Sequence, residues 1–416
     1  MSSAASDPRA QSAASPRQCV FLVGGFGTRL GALTQATPKP LLEVGGRPFL
    51  AWLLREVARH GFTEAVMLGG YRGEQLEAVL GDGSDFGLTI RHVIEPEPAG
   101  TAGALTYAAD LLDDTFLLLN GDSLLDINLL DLCLPLNDDS VARAALRQVD
   151  DAGRYGRVSL DGDRVTGFSE KSNDATPGVI NGGVYWMRRS ILERIPHVPM
   201  SLEQDVFPGL VAEGRLEGKV YDRPFIDIGV PASFSQAQSF VPSVARRGAV
   251  FFDRDGTLNV DVGYAHRPDQ IAWTPGAIAA IKRVNDAGLL AFVVTNQAGV
   301  ARGYYGDAEI RALHAWMQAQ FNAVGAHIDA WAYCPHHPDF GPGACTHRKP
   351  APGMVRDLIA AWDVDPAASL MIGDQPTDVE AGEAAGVRGV RYVGGDLDEV
   401  IARALAGLPR REAEGA

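Results

Sequence analysis

Over the first 122 residues, short apolar runs alternate with longer stretches of helical spacing. The runs at 19–23 (CVFLV), 64–70 (EAVMLGG), 89–95 (TIRHVIE) and 115–122 (TFLLLNGD) read as strands. Between them, 49–61 (FLAWLLREVARHG) and 101–112 (TAGALTYAADLL) read as helices. That rhythm predicts a parallel sheet covered on both faces. From 123 to 240 the pattern loosens into mixed strands and loops. A second alternation then starts at 248–255 (GAVFFDRD) and continues through 289–297 (LLAFVVTNQ), 327–334 (HIDAWAYC), 369–374 (SLMIGD) and 389–395 (GVRYVGG). Each series opens on its own strand, so the break is expected near 239–248 (SFVPSVARRG). The expected division is a tail over 1–16, one α/β domain over 17–240, a linker over 241–247, a second α/β domain over 248–408 and a tail over 409–416. No internal repeat is visible.

A chain of 416 residues is more than one core of roughly 100–200 residues would fill, which agrees with two domains. Composition, at 46% hydrophobic and 21% charged, is that of a soluble globular protein without an apolar run able to cross a bilayer. The first residues, MSSAASDPRAQSAASPRQ, are polar and read as a disordered tail rather than a signal peptide, so a cytoplasmic location is expected. A formal net charge of −15 argues against nucleic acid and anionic membrane as partners. If the ligands are phosphates, local basic residues and divalent cations must hold them. Four cysteines do not make a disulfide framework in a chain this long. Two of them, Cys334 and Cys345, sit among histidines, which points to metal.

Gly24, Gly25 and Gly27 follow the first strand and let backbone amides surround phosphate oxygens, with Arg29 and Lys39 available to supply charge. A glycine turn between strand and helix needs no ligand, and three glycines alone leave both readings open. The whole stretch 24–50, GGFGTRLGALTQATPKPLLEVGGRPFL, resembles the signature of the sugar-1-phosphate nucleotidyltransferases. The resemblance continues through EPEPAGTAGAL (95–105), NGDS (120–123), RYG (154–156), FSEK (168–171), NGGVY (181–185) and FIDIG (225–229). It implies a Rossmann-like nucleotidyltransferase fold. It also implies Mg2+ on Asp122 and Asp227, and nucleotide contacts from Gly24, Gly25, Gly27, Thr28, Gly100 and Thr101. Arg29 and Lys39 would lie on the triphosphate, Lys171 near the sugar phosphate, and Glu170 and Asn181 on sugar hydroxyls. No protein nucleophile is needed, because positioning and electrostatics carry this chemistry. With GGRPFL, SLEQDVFP and FIDIGVP the likeness is nearest to the heptose 1-phosphate guanylyltransferases, and guanine is inherited from it. AGTAGA stands where such proteins usually carry LGTGGA, which leaves the base open.

In FFDRDGTLN (251–259), Asp253 and Asp255 stand at i and i+2. On a strand, residues i and i+2 project to one face, so both carboxylates are expected to meet in one pocket at its C-terminal end. Clustered carboxylates repel unless a cation or a shared proton separates them. A plain aspartate turn closed by Gly256 would leave unexplained an ordered series of residues downstream: Thr295 in VVTNQ, Lys349 in HRKP, and Asp374 and Asp378 in IGDQPTD. Together these resemble the haloacid dehalogenase superfamily, again a Rossmann-like fold. The resemblance implies Asp253 as nucleophile, Asp255 as acid and base, and Thr295 with Lys349 on the phosphoryl oxygens. Mg2+ would be held by Asp253, Asp374 and the backbone carbonyl of Asp255, with Asp378 ligating directly or supporting.

The segment 334–350, CPHHPDFGPGACTHRKP, pairs Cys334 with His336 and Cys345 with His347, spacings that suit tetrahedral Zn2+. Free cysteines beside exposed histidines are the plainer alternative. The segment resembles the zinc loop of heptose bisphosphate phosphatases and histidinol phosphatases, except that His347 stands where the last cysteine usually is; His337 is a possible substitute. TNQAGVARGYYG (295–306) is nearer the heptose enzymes and implies substrate contacts from Asn296, Arg302 and Arg348. The two halves then fit: removing the 7-phosphate of heptose 1,7-bisphosphate gives the heptose 1-phosphate that the other half would consume. Expected partners are sugar phosphates and a nucleoside triphosphate. Alternatives are mannose 1-phosphate for one half, histidinol phosphate for the other, or a sensor of sugar nucleotides with one degenerate domain. Oligomeric state leaves no signal in the sequence.

Overall fold

The structure is a computed structural model that describes residues 16–25, 27–153, 156–169, 176–340 and 345–409. It divides into two compact units, Pro16–Arg247 and Gly248–Leu408.

The first unit is built on a nine-stranded sheet. Thr89–Ile94, Glu64–Gly69, Gln18–Leu22 and Thr115–Asn120 lie side by side and parallel, as the alternation predicts. Strand Gly178–Arg188 then joins antiparallel to Thr115–Asn120 and begins the mixed half of the sheet. The parallel strands are apolar at successive positions because both faces are covered. Cys19, Phe21, Leu117 and Leu119 enter one core layer, while Val20, Phe116 and Leu118 enter the other. Helix Phe49–Arg59 closes the first layer with Leu50, Leu53, Leu54 and Val57, spaced three and four apart. The helix expected over 101–112 is shorter, Gly100–Tyr107, followed by a 3-10 turn at Ala109–Leu111.

Two short strands, Ser123–Leu125 and Phe225–Asp227, pair antiparallel beside the main sheet. Asp227 lies opposite Ser123, and Ile228 N–H donates to the Asp122 carbonyl at 2.9 Å. Two aspartates more than a hundred residues apart thereby become neighbours.

Residues 241–247, read as a linker, contain the end of helix Pro231–Ala245. Phe240, Val241 and Val244 share its inner face and are buried in the first core layer. Pro242 removes only its own N–H, and its carbonyl still accepts from Arg246 N–H at 3.1 Å. Arg247 is buried and pairs with Glu56 at 2.7 Å and with Asp126. This segment is packed structure of the first unit.

The second unit carries a fully parallel sheet in the order Ala330–Cys334, Leu290–Asn296, Ala249–Phe252, Leu370–Gly373, Arg388–Arg391. On the central strand Val250 and Phe252 face one core layer and Ala249 and Phe251 the other. Truncating either buried phenylalanine to alanine would cost about 3–5 kcal/mol. Asp253, Thr295, Asn296, Cys334 and Asp374 all lie at or just beyond the C-terminal ends of these strands, the edge where open α/β sheets bind ligands. Among the described residues no helix is long and apolar enough to cross a membrane.

Candidate active sites

In the first unit the glycine loop is tight on its inner side and open on its outer side. A Cβ on Gly24 would lie 2.9 Å from Gly70 N and from Glu95 Oε1, and Gly27 has φ +61°. Among the described residues nothing lies within 4 Å of where a Gly25 Cβ would stand, and Thr28 and Arg29 are exposed. Lys39 Nζ donates to Asp122 Oδ2 at 2.5 Å, and Gly229 N–H donates to Asp227 Oδ1 at 2.9 Å. A Cβ on Gly229 would lie 2.6 Å from Asp227 Oδ1 and 3.4 Å from Lys39 Nζ. One ammonium and two carboxylates thus share a small space below the loop.

Other residues implied for this site are engaged by the protein itself. Gly100 has φ +77°, and a Cβ there would fall 2.3 Å from Met200 O. Ala102 and Gly103 N–H groups at that helix start donate to the same carbonyl at 3.0 and 3.2 Å. Thr101 Oγ1 accepts from Leu202 N–H at 2.8 Å and donates to Glu203 Oε2 at 3.1 Å. Gly100 and Thr101, expected at the nucleotide, therefore dock the 200–203 segment. Asn181 Nδ2 donates to Tyr185 Oη at 2.6 Å, and Tyr185 donates to Glu203 Oε1 at 3.0 Å. Burial, reinforced by Glu203, pushes the Tyr185 hydroxyl well up, so it remains a neutral donor. Glu170 and Lys171, like Arg154 and Tyr155 of RYG, lie outside the described residues.

The second unit gathers a buried charge cluster. Lys349 Nζ donates to Asp253 Oδ1 at 2.5 Å and to the Val294 carbonyl at 2.7 Å, and pairs with Asp378 Oδ1 at 2.7 Å. Oxygens of Asp253, Asp374 and Asp378 lie within 4.8 Å of one another. Asp374 Oδ2 accepts from Gln375 Nε2 at 2.5 Å, whereas Asp374 Oδ1 is buried without a partner among the described residues. Burial pushes the Asp253 carboxyl up to about 7 against the pull of Lys349, and it also raises Asp374. Lys349 loses by burial but is held charged by Asp253 and Asp378. Gly256, at φ +86°, leaves room for Asp374, whose carboxylate would lie 2.6 Å from a Cβ there.

Asp255 does not join that cluster with its carboxylate, contrary to the alternation argument. The strand ends at Phe252, so the i and i+2 rule no longer applies at 253 and 255. Asp255 Oδ1 accepts from Arg254 Nε at 3.1 Å and Asn259 Nδ2 at 3.0 Å; Oδ2 accepts from Arg254 Nη2 at 2.7 Å and Gln297 Nε2 at 2.9 Å. Burial would raise this carboxyl, but Arg254 and the other donors hold it below the usual range. Thr295 Oγ1 accepts from Gln297 Nε2 at 2.8 Å. Asn296, implied as a substrate contact, instead clamps Lys349: its Nδ2 donates to the Lys349 carbonyl and its Oδ1 accepts from the Lys349 N–H, both at 3.1 Å. The Arg302 guanidinium lies 4.7 Å from the Phe340 ring centroid and 5.9 Å from that of Tyr264, and Arg348 Nη1 donates to the His336 carbonyl at 3.0 Å.

Cys334 Sγ and Cys345 Sγ are 3.5 Å apart, and His336 Nδ1 is 3.2 Å from Cys345 Sγ and 3.8 Å from Cys334 Sγ. His347 does not join them. Its backbone N–H donates to Cys345 Sγ at 3.4 Å, while its exposed imidazole is engaged by Thr346 Oγ1 at 3.1 Å and Asp357 at 2.9 Å. His337 Nε2 lies 3.2 Å from Arg302 Nη2 and is no substitute here. Bond lengths of about 2.0–2.3 Å give a tetrahedral zinc site edges of roughly 3.3–3.8 Å, so the three donors fit such a site. Backbone N–H groups of His347 and Arg348 and the His336 ring bring the Cys345 thiol down to about 6 despite burial, toward the ligating thiolate.

Residues 18–244 match the nucleotidyl transferase family model, and residues 346–407 match the HAD-hydrolase-like model. Over 172 residues the chain is 45% identical to the D-glycero-beta-D-manno-heptose-1,7-bisphosphate 7-phosphatase of Rhodopseudomonas palustris, covering 40% of this chain and 96% of that protein. Over 241 residues it is 38% identical to the mannose-1-phosphate guanylyltransferase of Mycobacterium tuberculosis, covering 55% of this chain and 67% of that protein. The chain belongs to the nucleotidyl transferases in one unit and to the HAD-like phosphatases in the other. The solved structure of HddC from Yersinia pseudotuberculosis complexed with GMP-PN is 29% identical, with TM-score 0.48, over 53% of this chain and 98% of that one.

Both units have the α/β fold that the motifs implied. In the phosphatase unit, Arg254, Asn259, Gln297 and Tyr305 were passed over, although all four lie inside the quoted motifs. Arg254 carried a usable signal, an arginine set between two motif aspartates at the end of an apolar run, which in a buried loop must find a carboxylate. In the transferase unit Glu203 was passed over although it lies within SLEQDVFP; besides the nearby Ser201, its partners Tyr185 and Thr101 come from distant segments.

Proposed function

We propose that the chain is a bifunctional enzyme of nucleotide-activated heptose synthesis. The phosphatase unit removes the 7-phosphate from heptose 1,7-bisphosphate, and the transferase unit joins the resulting heptose 1-phosphate to a nucleotide, with GMP from GTP as the first choice. The observation that carries the reading is the buried Asp253–Lys349–Asp378 group facing the unpartnered Asp374 oxygen, in a unit that aligns over nearly the whole of a heptose bisphosphate phosphatase.

Three carboxylates and one ammonium leave a net charge of −2, which suits a divalent cation. Asp253, Asp374 and the Asp255 carbonyl would hold Mg2+, with Asp378 behind Lys349. When bound, the cation neutralises charge so that a carboxylate can approach a phosphate ester. Asp253 attacks phosphorus and forms an aspartyl-phosphate while the sugar 7-oxygen leaves. Asp255, after taking up a proton against the pull of Arg254, gives it to that oxygen and then takes a proton from the water that hydrolyses the acyl phosphate. To do so it must exchange a hydrogen bond within its clamp. Lys349 and Thr295 bind the transferring oxygens, and Asn296 keeps the Lys349 backbone in place. Arg302 and Arg348 bind the remainder of the substrate. Cys334, His336 and Cys345 would hold a structural Zn2+ that shapes the loop leading to Lys349.

In the transferase unit an oxygen of the sugar phosphate attacks the α-phosphorus and pyrophosphate leaves. Arg29 and Lys39 orient the triphosphate, with Gly24, Gly25, Gly27 and Thr28 lining it. Asp122 and Asp227 would hold Mg2+, which offsets charge on the phosphates. Asn181, with Glu170 and Lys171, contacts the sugar phosphate. Mannose 1-phosphate is a second reading for this unit, favoured by the guanylyltransferase relative, and heptose and mannose share the manno configuration in those names.

The test supplies the full chain with Mg2+, each anomer of heptose 1,7-bisphosphate and each nucleoside triphosphate. Phosphate release followed by pyrophosphate release with GTP is expected. Release of no phosphate from either anomer would overturn the phosphatase reading, and faster pyrophosphate release with mannose 1-phosphate would move the transferase to the second reading.

A further inference from the structure

Gln297 is fully buried one residue beyond the strand that carries Thr295, and its amide touches three groups. Nε2 is 2.9 Å from Asp255 Oδ2 and 2.8 Å from Thr295 Oγ1, and Oε1 is 2.8 Å from Tyr305 Oη. The direction of this amide is forced. Both Asp255 oxygens already accept from the Arg254 guanidinium, so toward Gln297 the carboxylate only accepts and must meet the NH2 end. The carbonyl end then faces Tyr305, whose hydroxyl donates. Tyr305 is itself fixed, buried with its ring stacked on His266 at 4.7 Å and pressed against Gly299, where a Cβ would come within 2.3 Å of the ring. The amide therefore cannot turn over without breaking contacts at both ends.

The consequence falls on Thr295. A hydroxyl that accepts a hydrogen from Nε2 has its own hydrogen free for another acceptor. We propose that Gln297 is a positioning residue of the phosphatase: it sets the hydrogen-bond direction so that Thr295 presents a donor to the phosphoryl oxygen, and it ties that donor to Asp255. This inference rests on the phosphatase reading above. It makes Tyr305, Gln297, Thr295 and Asp255 one polarised chain, in which each bond fixes the sense of the next.

Gln297→Glu keeps the shape and replaces the NH2 donor by an acceptor. Thr295 then turns its hydrogen inward, and Asp255 loses a donor. Measured as phosphate release by the full chain with Mg2+, kcat should fall about 100-fold, the scale of losing one preorganised donor. KM should stay within about 3-fold, since the donor acts mainly in the transition state. In a Thr295→Val background the same change should cost only about 10-fold, because the donor it controls is already gone. Tyr305→Phe, which frees the amide to rotate while removing one atom, should lower kcat about 5-fold and guards against a Gln297→Glu chain that fails to fold. Parental kcat in either variant, or an equal loss with and without Thr295, would overturn the inference while leaving the phosphatase reading intact. A parental chain that releases no phosphate would overturn both.

Discussion

The two active sites differ most in how much of their charge is buried. In the phosphatase unit the Lys349 side chain is 2% exposed and that of Asp253 9%, and Lys349 meets Asp253 and Asp378 at 2.5 and 2.7 Å. In the transferase unit Asp122 is 40% exposed and Arg29 faces solvent. The difference follows from the chemistry proposed for each. A covalent nucleophile must approach an anionic phosphate, which calls for an assembled, desolvated charge set. Joining two substrates calls for an open cradle whose charges are completed when a nucleotide arrives. Burial also makes the phosphatase cluster structural, so damage there should spread to stability, whereas damage in the transferase site should stay with activity.

The largest effect expected is on the nucleophile. Asp253→Asn should lower release of the 7-phosphate by about 10^4-fold or more and leave nucleotide transfer at the parental rate. Asp122→Asn should lower transfer by about 10^2-fold and spare phosphate release. With bisphosphate and nucleotide supplied together, the second variant accumulates heptose 1-phosphate, read by phosphorus NMR. Loss of both activities in either folded variant would break the division of labour.

Next come the two lysines. Lys349→Met leaves Asp253 and Asp378 buried without their cation and should destabilise the phosphatase unit by about 3–5 kcal/mol. Lys39→Met, beside the more exposed Asp122, should change stability by less than about 1 kcal/mol while transfer falls. Thermal melting of both variants checks the contrast, and equal shifts would remove the distinction drawn from burial.

Magnesium gives a smaller effect with a defined sign. A carboxyl whose folded pKa is raised stabilises the fold while protonated, and for Asp253 that contribution is lost as pH rises from 3.8 toward about 7. A cation takes the place of the proton, so the rise in melting temperature on adding Mg2+ should grow between about pH 5 and about pH 8. A rise independent of pH would argue against Asp253 as a ligand.

Zinc is the local test. Metal analysis should find about one zinc per chain, absent from Cys334→Ser and retained in His347→Ala. Zinc loss in the second variant would restore His347 to the ligand set. A last shift is expected at an ion pair outside both catalytic clusters. Glu56 is held down to about 2 by Arg247 and Arg59 despite burial, so it stabilises above its ordinary 4.5 and that contribution fades as pH falls toward about 2. Glu56→Gln should cost about 2 kcal/mol at neutral pH, with the gap narrowing below about pH 4.5.

Periodicity and motif spacing are local properties, and they determined what local physics can: the parallel strands of both units, the glycine loop after the first strand, and the placing of Asp253, Thr295 and Asp374 at strand ends. They also supplied the residue types for the proposed metal sites, since carboxylates and thiolates have few other reasons to recur in such order. Tertiary structure decided which side chains meet. Lys349 reaches Asp253 across 96 residues of chain, Asn296 spends its amide on the Lys349 backbone rather than on substrate, and Thr101 is taken up by a segment a hundred residues away. His347 has the right chemistry and spacing, yet its ring meets Thr346 and Asp357 rather than the cluster. Asp255 shows the reason most plainly. Its place in the motif is fixed by sequence, but its direction depends on where the strand stops and on a buried arginine and glutamine, and a one-dimensional pattern does not encode the angle at which a chain leaves a strand.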